Sequence, residues 1–198
     1  MSNAGVRFPP EPLSAAEVRK LLLACSPDSD TGKRNRALLA VMWRTGLRCS
    51  EVLALRVSDV DAERGTIRVL RGKGCKARTV GADPDCMAVV AVWVAARAAR
   101  GIGPGRLFCT LAGTPLCARY VRAMVGRVAV RAGIEHRVHP HGLRHTMAAE
   151  LSDEGWPVLL ISRQLGHSNV ATTNTYLQSL HPAEVIDRAR TRRWDLAG

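Results

Sequence analysis

The sequence lacks any apolar run that approaches the ~18–20 residues needed to cross a bilayer. It also lacks a leading apolar segment of the kind that directs secretion. These absences disfavour a membrane protein and a secreted one, so we expect a cytoplasmic protein. The six cysteines form no Cys-x-x-Cys pair, and no histidine lies at zinc-finger spacing. We therefore expect reduced, mostly buried thiols and no structural zinc site.

Acidic residues are scarce beside basic ones. The chain carries 29 Lys and Arg against 17 Asp and Glu, and its formal net charge is +12. The acidic residues fall mostly in helix caps and turns, as at Glu17, Asp28 and Asp83, and form no evident metal cluster. This distribution disfavours a two-metal nuclease. The positive charge indicates a polyanionic partner and favours nucleic acid, whereas a basic surface kept for solubility is the plainer alternative.

Helix caps and glycine stops predict a mainly α-helical domain with one small antiparallel sheet. The Ser14–Glu17 capping box and the Asp83–Pro84 pair mark helix starts, and glycines mark helix ends. The predicted helices span about 14–25, 33–46, 50–55, 84–100, 114–133, 140–153, 157–166 and 182–193. Two predicted strands, 66–70 and 76–80, flank a glycine-rich hairpin. The interval 28–32 is predicted to be a loop.

Residues of catalytic types occur in six ordered positions: Arg48 in Thr-Gly-Leu-Arg, Lys73 in Gly-Lys-Gly, His141 and Arg144 in His-x-x-Arg, His167 in Leu-Gly-His, and Tyr176 nine residues later. His141, Arg144 and His145 are three or four residues apart, so they approach one face of their predicted helix. Taken singly, such residues are more often structural. A lone arginine at a helix end binds free carbonyl groups, and a lysine between glycines is usually a solvated turn residue.

This set of side chains suits cleavage of a phosphodiester without a metal. Arginine forks donate bidentate hydrogen bonds to phosphate oxygens and stabilise the charge that develops in the transition state. A tyrosine phenol has a pKa of about 10, so ionising it at neutral pH costs ~4 kcal/mol. A histidine base or nearby cations lower that cost. The departing alkoxide is far more basic and needs a general acid, which a lysine can provide.

In order and spacing, these motifs resemble those of the tyrosine recombinase (phage integrase) family, from Leu13 to about His181. The resemblance implies the catalytic core fold of DNA breaking and rejoining enzymes. It also implies site-specific recombination through a 3′-phosphotyrosyl DNA intermediate, with no cofactor. The implied roles are these: Arg48 and Arg144 clamp the scissile phosphate, Lys73 is the general acid, His141 assists proton transfer, His167 hydrogen-bonds a phosphate oxygen, Tyr176 is the nucleophile, and Glu51 and His145 support them.

The resemblance also sets expectations for organisation and partners. Residues 1–12 should be a cloning scar and the end of a linker, and 13–198 the catalytic domain without the family's N-terminal DNA-binding domain. We expect double-stranded DNA as the partner, a homotetramer on paired sites and mainly a monomer for this piece alone. Two alternatives stay open: strand relaxation like that of a type IB topoisomerase, and a DNA-binding regulator that has kept the fold. His139 stands where relatives usually have an apolar residue.

Overall fold

A computed structural model describes residues 12–70 and 77–166. Over these ranges the helices are α1 (Ala15–Leu23), α2 (Asp30–Thr45), α3 (Cys49–Ala54), a 3-10 turn (Val57–Asp59), α4 (Pro84–Ala99), α5 (Ala118–Arg131), α6 (Pro140–Asp153) and α7 (Val158–Leu165). The strands are β1 (Val60–Asp61), β2 (Thr66–Val69) and β3 (Arg78–Gly81). The prediction of a mainly α-helical fold with a small antiparallel sheet is confirmed.

The sheet has the order β1-β2-β3 with both pairings antiparallel. Ile67 of β2 pairs with Val80 of β3, and both side chains are buried in the core. The predicted hairpin pairing is therefore correct for the described part of each strand, whereas the two-residue β1 was not predicted. The amide of Gln164 in α7 binds the backbone of Gly81: its nitrogen donates to the carbonyl at 2.8 Å, and its oxygen accepts from the N–H at 3.2 Å.

Helix α2 lies at the centre of the core, where it packs against α4 on one side and α6 on the other. It carries buried apolar residues along its length, among them Leu38, Leu39, Val41 and Met42. Trp93 of α4 is fully buried, and its indole nitrogen donates to the carbonyl of Leu107 at 2.8 Å, so its polar atom is also satisfied. This packing fixes the C-terminal end of α2 deep in the molecule.

Two helix starts differ from the prediction. Helix α2 begins at Asp30, inside the predicted loop, because the Ser29 side chain caps it by accepting a backbone N–H. Helix α5 begins at Ala118, later than the predicted start at Thr114. The reason is local: the N–H of Thr110 donates to the carbonyl of Thr114 at 2.8 Å, and the two hydroxyls are 2.7 Å apart. This turn competes with helix formation.

Other local predictions are confirmed. The capping box predicted at Ser14 is present, α4 begins at the predicted Asp83–Pro84 pair, and α7 ends at Gly166. Of the cysteines, three are buried, Cys49 is partly exposed and Cys117 is exposed, and all of these are free thiols. The prediction of mostly buried thiols holds for this described set, which does not include Cys75. No helix in the described ranges is long and apolar enough to cross a membrane.

Candidate active site

The N-terminal ends of α3, α5 and α6 meet at an open cleft of about 620 Å³. The side chains around it are predominantly basic. The cleft is lined by Leu47, Arg48, Cys49, Ser50, Ala118, Arg122, Arg137, His139, Pro140, His141 and Arg144. Four of these residues are arginines, two are histidines, and no described lining residue is acidic. The cleft is therefore suited to an anion.

Gly46 ends α2 and sets the position of both predicted clamp arginines. Its φ of 62° lies in the left-handed region, and a Cβ there would lie 2.5 Å from Cδ2 of Leu165 and 2.9 Å from Sδ of Met147. Its carbonyl accepts a hydrogen bond from Nη1 of Arg144, and Arg48 follows two residues later. The glycine of the Thr-Gly-Leu-Arg motif is thus required by conformation and by close packing.

Arg48 is the N-cap residue of α3, which corrects the predicted cap at Ser50. The carboxylate of Glu51 reaches back and accepts the backbone N–H of Arg48 at 2.8 Å. Glu51 also lies 3.3 Å from Nη1 of Arg48. The Glu51 side chain is only 3% exposed, whereas that of Arg48 is 31% exposed and faces the cleft. Glu51 therefore supports Arg48 from behind.

Arg78 of β3 is the second cation on Glu51. Its Nη1 donates to Oε1 at 2.8 Å and its Nη2 to Oε2 at 3.0 Å, a two-pronged contact. Burial pushes the pKa of Glu51 upward, but the hydrogen bonds from Arg78 and from the Arg48 backbone outweigh it. The net result is a Glu51 pKa below its ordinary value, so the group is a carboxylate at neutral pH.

Arg144 is held in a different way. It is 3% exposed, and its Nη2 has no hydrogen-bond partner among the described residues. Burial and, to a lesser extent, the nearby charge of Arg48 lower its pKa to about 10, against a smaller opposing effect of Glu51. Arg144 is still protonated at neutral pH. It therefore offers a buried positive charge and an unused donor at the cleft.

Three histidines surround the start of α6. His139 is the N-cap residue: its Nδ1 accepts the backbone N–H of Gly142 at 2.9 Å. The rings of His141 and His145 meet edge to face, with centroids 4.2 Å apart. The pKa of His141 is lowered by the atoms packed around it and then by the charges of Arg144, His139 and Arg48. His141 is accordingly neutral at pH 7 and able to accept a proton.

The structure brings Arg48 together with His141 and Arg144, which lie more than 90 residues later in the sequence, and places Glu51 and His145 beside them. The other predicted catalytic residues, Lys73, His167 and Tyr176, lie outside the described ranges. Three further arginines were not predicted as site residues: Arg122 and Arg137 line the cleft, and Arg78 lies behind it. Arg122 could have been found from the sequence, because its helix also carries Arg119 and Arg127, whereas nothing in the sequence marks Arg78 as a site residue.

The donor set gives no indication of a metal centre. Within residues 12–70 and 77–166, no three His, Cys, Asp or Glu side chains are grouped so that they could hold a metal ion. Glu51, an acidic group next to the cleft, has its two oxygens engaged by arginines and a backbone N–H. The chemistry available from the described residues is phosphate binding by arginine and proton transfer by histidine.

Sequence comparisons place the chain among known proteins. The model of the phage integrase family matches residues 11–181. Tyrosine recombinase XerC of Xanthomonas campestris pv. campestris (strain B100) is 36% identical over 185 residues, which cover 92% of this chain and 56% of that protein. XerC of Azotobacter vinelandii (strain DJ / ATCC BAA-1303) is 33% identical over 190 residues, which cover 95% of this chain and 63% of that protein. The chain thus spans roughly three fifths of the length of these relatives.

Solved structures agree with the sequence matches. The crystal structure of XerA recombinase superposes with a TM-score of 0.83 at 29% identity, covering 96% of this chain and 68% of that one. XerH site-specific recombinase bound to a palindromic difH substrate, in a post-cleavage complex, gives 0.76 at 26% identity, covering 92% and 53%. The resemblance inferred from the motifs is confirmed: this chain belongs to the phage integrase family of tyrosine recombinases.

Proposed function

We propose that this chain is the catalytic part of a site-specific recombinase that cuts and rejoins double-stranded DNA by metal-free transesterification. The observation that carries the proposal is the pairing of Arg48 and Arg144 in one cleft with no described acidic lining residue. Such a cleft suits a phosphate that carries negative charge and gains more in the transition state. The related XerH structure, with its difH substrate, supports DNA as the partner. In this proposal the catalytic domain spans 13–198.

In the proposed reaction the two arginines hold the non-bridging oxygens of the scissile phosphate. Tyr176 attacks the phosphorus, and the neutral imidazole of His141 assists removal of the phenolic proton. The bond to the 5′-oxygen breaks, Lys73 protonates that oxygen, and His167 hydrogen-bonds a phosphate oxygen. The product is a 3′-phosphotyrosyl DNA. One phosphate ester replaces another, so attack by a new 5′-hydroxyl rejoins the strand without ATP.

The state of Arg144 explains how part of the catalytic effect would arise. Its charge is buried and contacts no carboxylate among the described residues, so these residues leave it poorly stabilised. A phosphate in the cleft would accept from its unused Nη2 and supply the missing negative charge. This stabilisation increases as charge builds up on the equatorial oxygens, and it therefore favours the transition state over the bound substrate.

The relatives also bear on the alternatives and on assembly. The similar proteins are named as recombinases, which favours recombination over topoisomerase-like strand relaxation. The complete set of motifs, Tyr176 included, favours an enzyme over a DNA-binding regulator.

We propose a homotetramer on paired DNA sites and mainly a monomer for this chain alone. The charge of +12 predicts DNA binding that weakens steeply as salt rises.

The proposal is tested by trapping the covalent intermediate on a library of nicked duplexes in the presence of a chelator. The wild-type chain should form a DNA adduct, and Tyr176→Phe should bind DNA equally well but form none, because only the hydroxyl is removed. The matched control is Tyr120→Phe, since the chain has two tyrosines and the Tyr120 hydroxyl contacts Arg34 in the described structure. An adduct that persists in Tyr176→Phe, or that needs a divalent metal, would contradict the proposal.

A further inference from the structure

Arg78 and Glu51 form the most completely engaged ion pair behind the cleft. Both prongs of the guanidinium contact the carboxylate, at 2.8 and 3.0 Å. The two side chains are 17% and 3% exposed, so the contact is largely shielded from water. A buried carboxylate is strongly destabilised unless cations and hydrogen-bond donors surround it. Arg78 meets most of that requirement for Glu51.

Because Arg78 meets that requirement, Arg48 does not have to. Arg48 reaches Glu51 through a single side-chain contact of 3.3 Å, and its guanidinium remains 31% exposed at the cleft. Both oxygens of Glu51 are already occupied, by the fork of Arg78 and by the backbone N–H of Arg48. The remaining donors of Arg48 are thus available to a ligand in the cleft. Without Arg78, the nearest cation that could neutralise Glu51 is Arg48 itself.

Arg78 also connects this pair to α7. Its Nη2 lies 3.4 Å from the carbonyl of Leu165, at the C-terminal end of the helix, where a cation is electrostatically favourable. The guanidinium packs directly on Gly166: a Cβ there would lie 2.4 Å from both Cζ and Nε of Arg78. A single side chain therefore links strand β3, the N-terminal end of α3 and the end of α7.

We propose that Arg78 is a positioning residue for the DNA cleavage reaction. By neutralising Glu51, it keeps the guanidinium of Arg48 directed into the cleft and available to the scissile phosphate. This inference rests on the proposed function, in which Arg48 binds that phosphate. Arg78 itself lies behind the cleft and does not line it, so its effect on the reaction is exerted through Glu51 and Arg48.

The test measures the single-turnover rate of covalent adduct formation at saturating nicked DNA, together with the DNA dissociation constant and the melting temperature. The variants are Arg78→Gln, Arg78→Lys, Glu51→Gln and the double variant Arg78→Gln/Glu51→Gln. Arg68→Gln is the matched control, because Arg68 lies on the adjacent strand, is 57% exposed and pairs with Asp59 rather than Glu51. It removes the same charge from the same sheet without affecting the cleft.

Arg78→Gln should lower the cleavage rate by roughly 10- to 100-fold, the scale of a misplaced phosphate-binding group. Its effect on DNA affinity should be no larger than that of Arg68→Gln. Arg78→Lys retains the charge but loses the fork, so it should fall between wild type and Arg78→Gln. The double variant should be faster than Arg78→Gln by roughly tenfold, a coupling typical of groups in direct contact, because a neutral Gln at position 51 no longer attracts Arg48.

A structural role alone predicts a different result, in which the double variant is slower than either single variant and the rates follow the melting temperatures. That result would overturn the inference, as would an Arg78→Gln rate within twofold of the Arg68→Gln rate. If Arg78→Gln does not fold, the cleavage rate of Arg78→Lys is compared with that of Arg68→Gln instead. The wild-type protein separates the two proposals: absence of any wild-type adduct counts against the proposed function, whereas an unimpaired Arg78→Gln beside an active wild type counts against this inference alone.

Discussion

Two arginines face the same cleft but are held in opposite ways. Arg48 has a buried carboxylate behind it, and a second arginine shares that carboxylate. Arg144 has no carboxylate contact among the described residues; it donates to the carbonyl of Gly46 and leaves Nη2 without a partner. The Arg48 side is therefore called the compensated side, because a contacting carboxylate offsets one of its two positive charges, whereas on the Arg144 side no described carboxylate contacts the guanidinium.

This difference separates stability from function within one site. Opposite charges in contact stabilise the folded state, so substitutions at Glu51 should lower the free energy of unfolding of the free protein. An uncompensated buried charge destabilises the free protein and becomes favourable only when an anion binds. Substitutions on the two sides should accordingly affect melting temperature and DNA cleavage in different proportions.

The largest expected effect is that of Arg144→Gln on cleavage. We expect adduct formation to slow by about 100- to 1,000-fold, the usual loss for one charged donor to a transition-state oxygen. The melting temperature of the free protein should stay the same or rise, because a buried unpaired charge is removed while the amide can still donate to Gly46. Single-turnover cleavage and a thermal melt measure the two quantities, and a clear fall in melting temperature would contradict the comparison.

Glu51→Gln should show the opposite balance. The substitution removes the negative charge that Arg48 and Arg78 share. We expect the free energy of unfolding to fall by about 2 kcal/mol, less than for a fully buried ion pair because both arginines are partly exposed. Cleavage should fall less than in Arg144→Gln. Chemical denaturation measures the stability, and an unchanged midpoint would show that Glu51 does not stabilise the fold.

The same carboxylate predicts a pH dependence of stability. The folded-state pKa of Glu51 is lowered from 4.5, so its contribution is fully present above that value and is lost as pH falls through the lowered folded-state pKa. Stability of the wild type measured from pH 6 down to acid should decline more steeply than that of Glu51→Gln. Parallel curves for the two proteins would argue against a contribution from this group.

Gly166→Ala tests the attachment of α7 to the compensated side. The residue has a φ of 69°, and the added methyl group would push against the guanidinium of Arg78. Gly101→Ala is the matched control, because Gly101 has a φ of 70° but nothing within 4 Å of its added Cβ. Left-handed strain of about 1–2 kcal/mol should appear in both variants, and any further loss of stability or cleavage in Gly166→Ala reports the Arg78 contact. Equal losses in Gly166→Ala and Gly101→Ala would show that the contact of Arg78 with Gly166 contributes nothing measurable to stability or cleavage.

The smallest effect concerns the cap of α6 on the uncompensated side. His139 caps Gly142 through an unprotonated Nδ1, and burial, aided by Arg137, lowers its pKa from 6.5. Protonation removes the acceptor, so about 1 kcal/mol of stability should be present above pH 6.5 and be lost as pH falls through the lowered pKa. His139→Asn keeps a capping oxygen that does not titrate. Its stability should decline less than that of wild type over this range, because His141 still titrates but the cap no longer does. A decline equal to that of wild type would contradict the assignment.

The sequence predicted the parts of the site that depend on neighbouring residues. The start of α6 at His139–Pro140 is such a local signal, and it puts His141 and Arg144 at the beginning of that helix, as predicted. The fork from Arg78 to Glu51 joins residues 27 apart across two elements, and nothing in the strand pattern marks it. Tertiary ion pairs of this kind depend on how the elements pack, and so does the finding that no carboxylate within residues 12–70 and 77–166 contacts Arg144.

The amide of Gln164 has a consequence for how copies of this protein meet. Strand β3 lies at the edge of the described sheet, and an exposed edge offers its backbone groups to any extended chain. At Gly81 both the N–H and the carbonyl are already bonded to the Gln164 side chain. A helix side chain thus occupies the position that a fourth strand would take. A second copy of this chain would therefore find no free backbone group at Gly81 with which to extend the sheet.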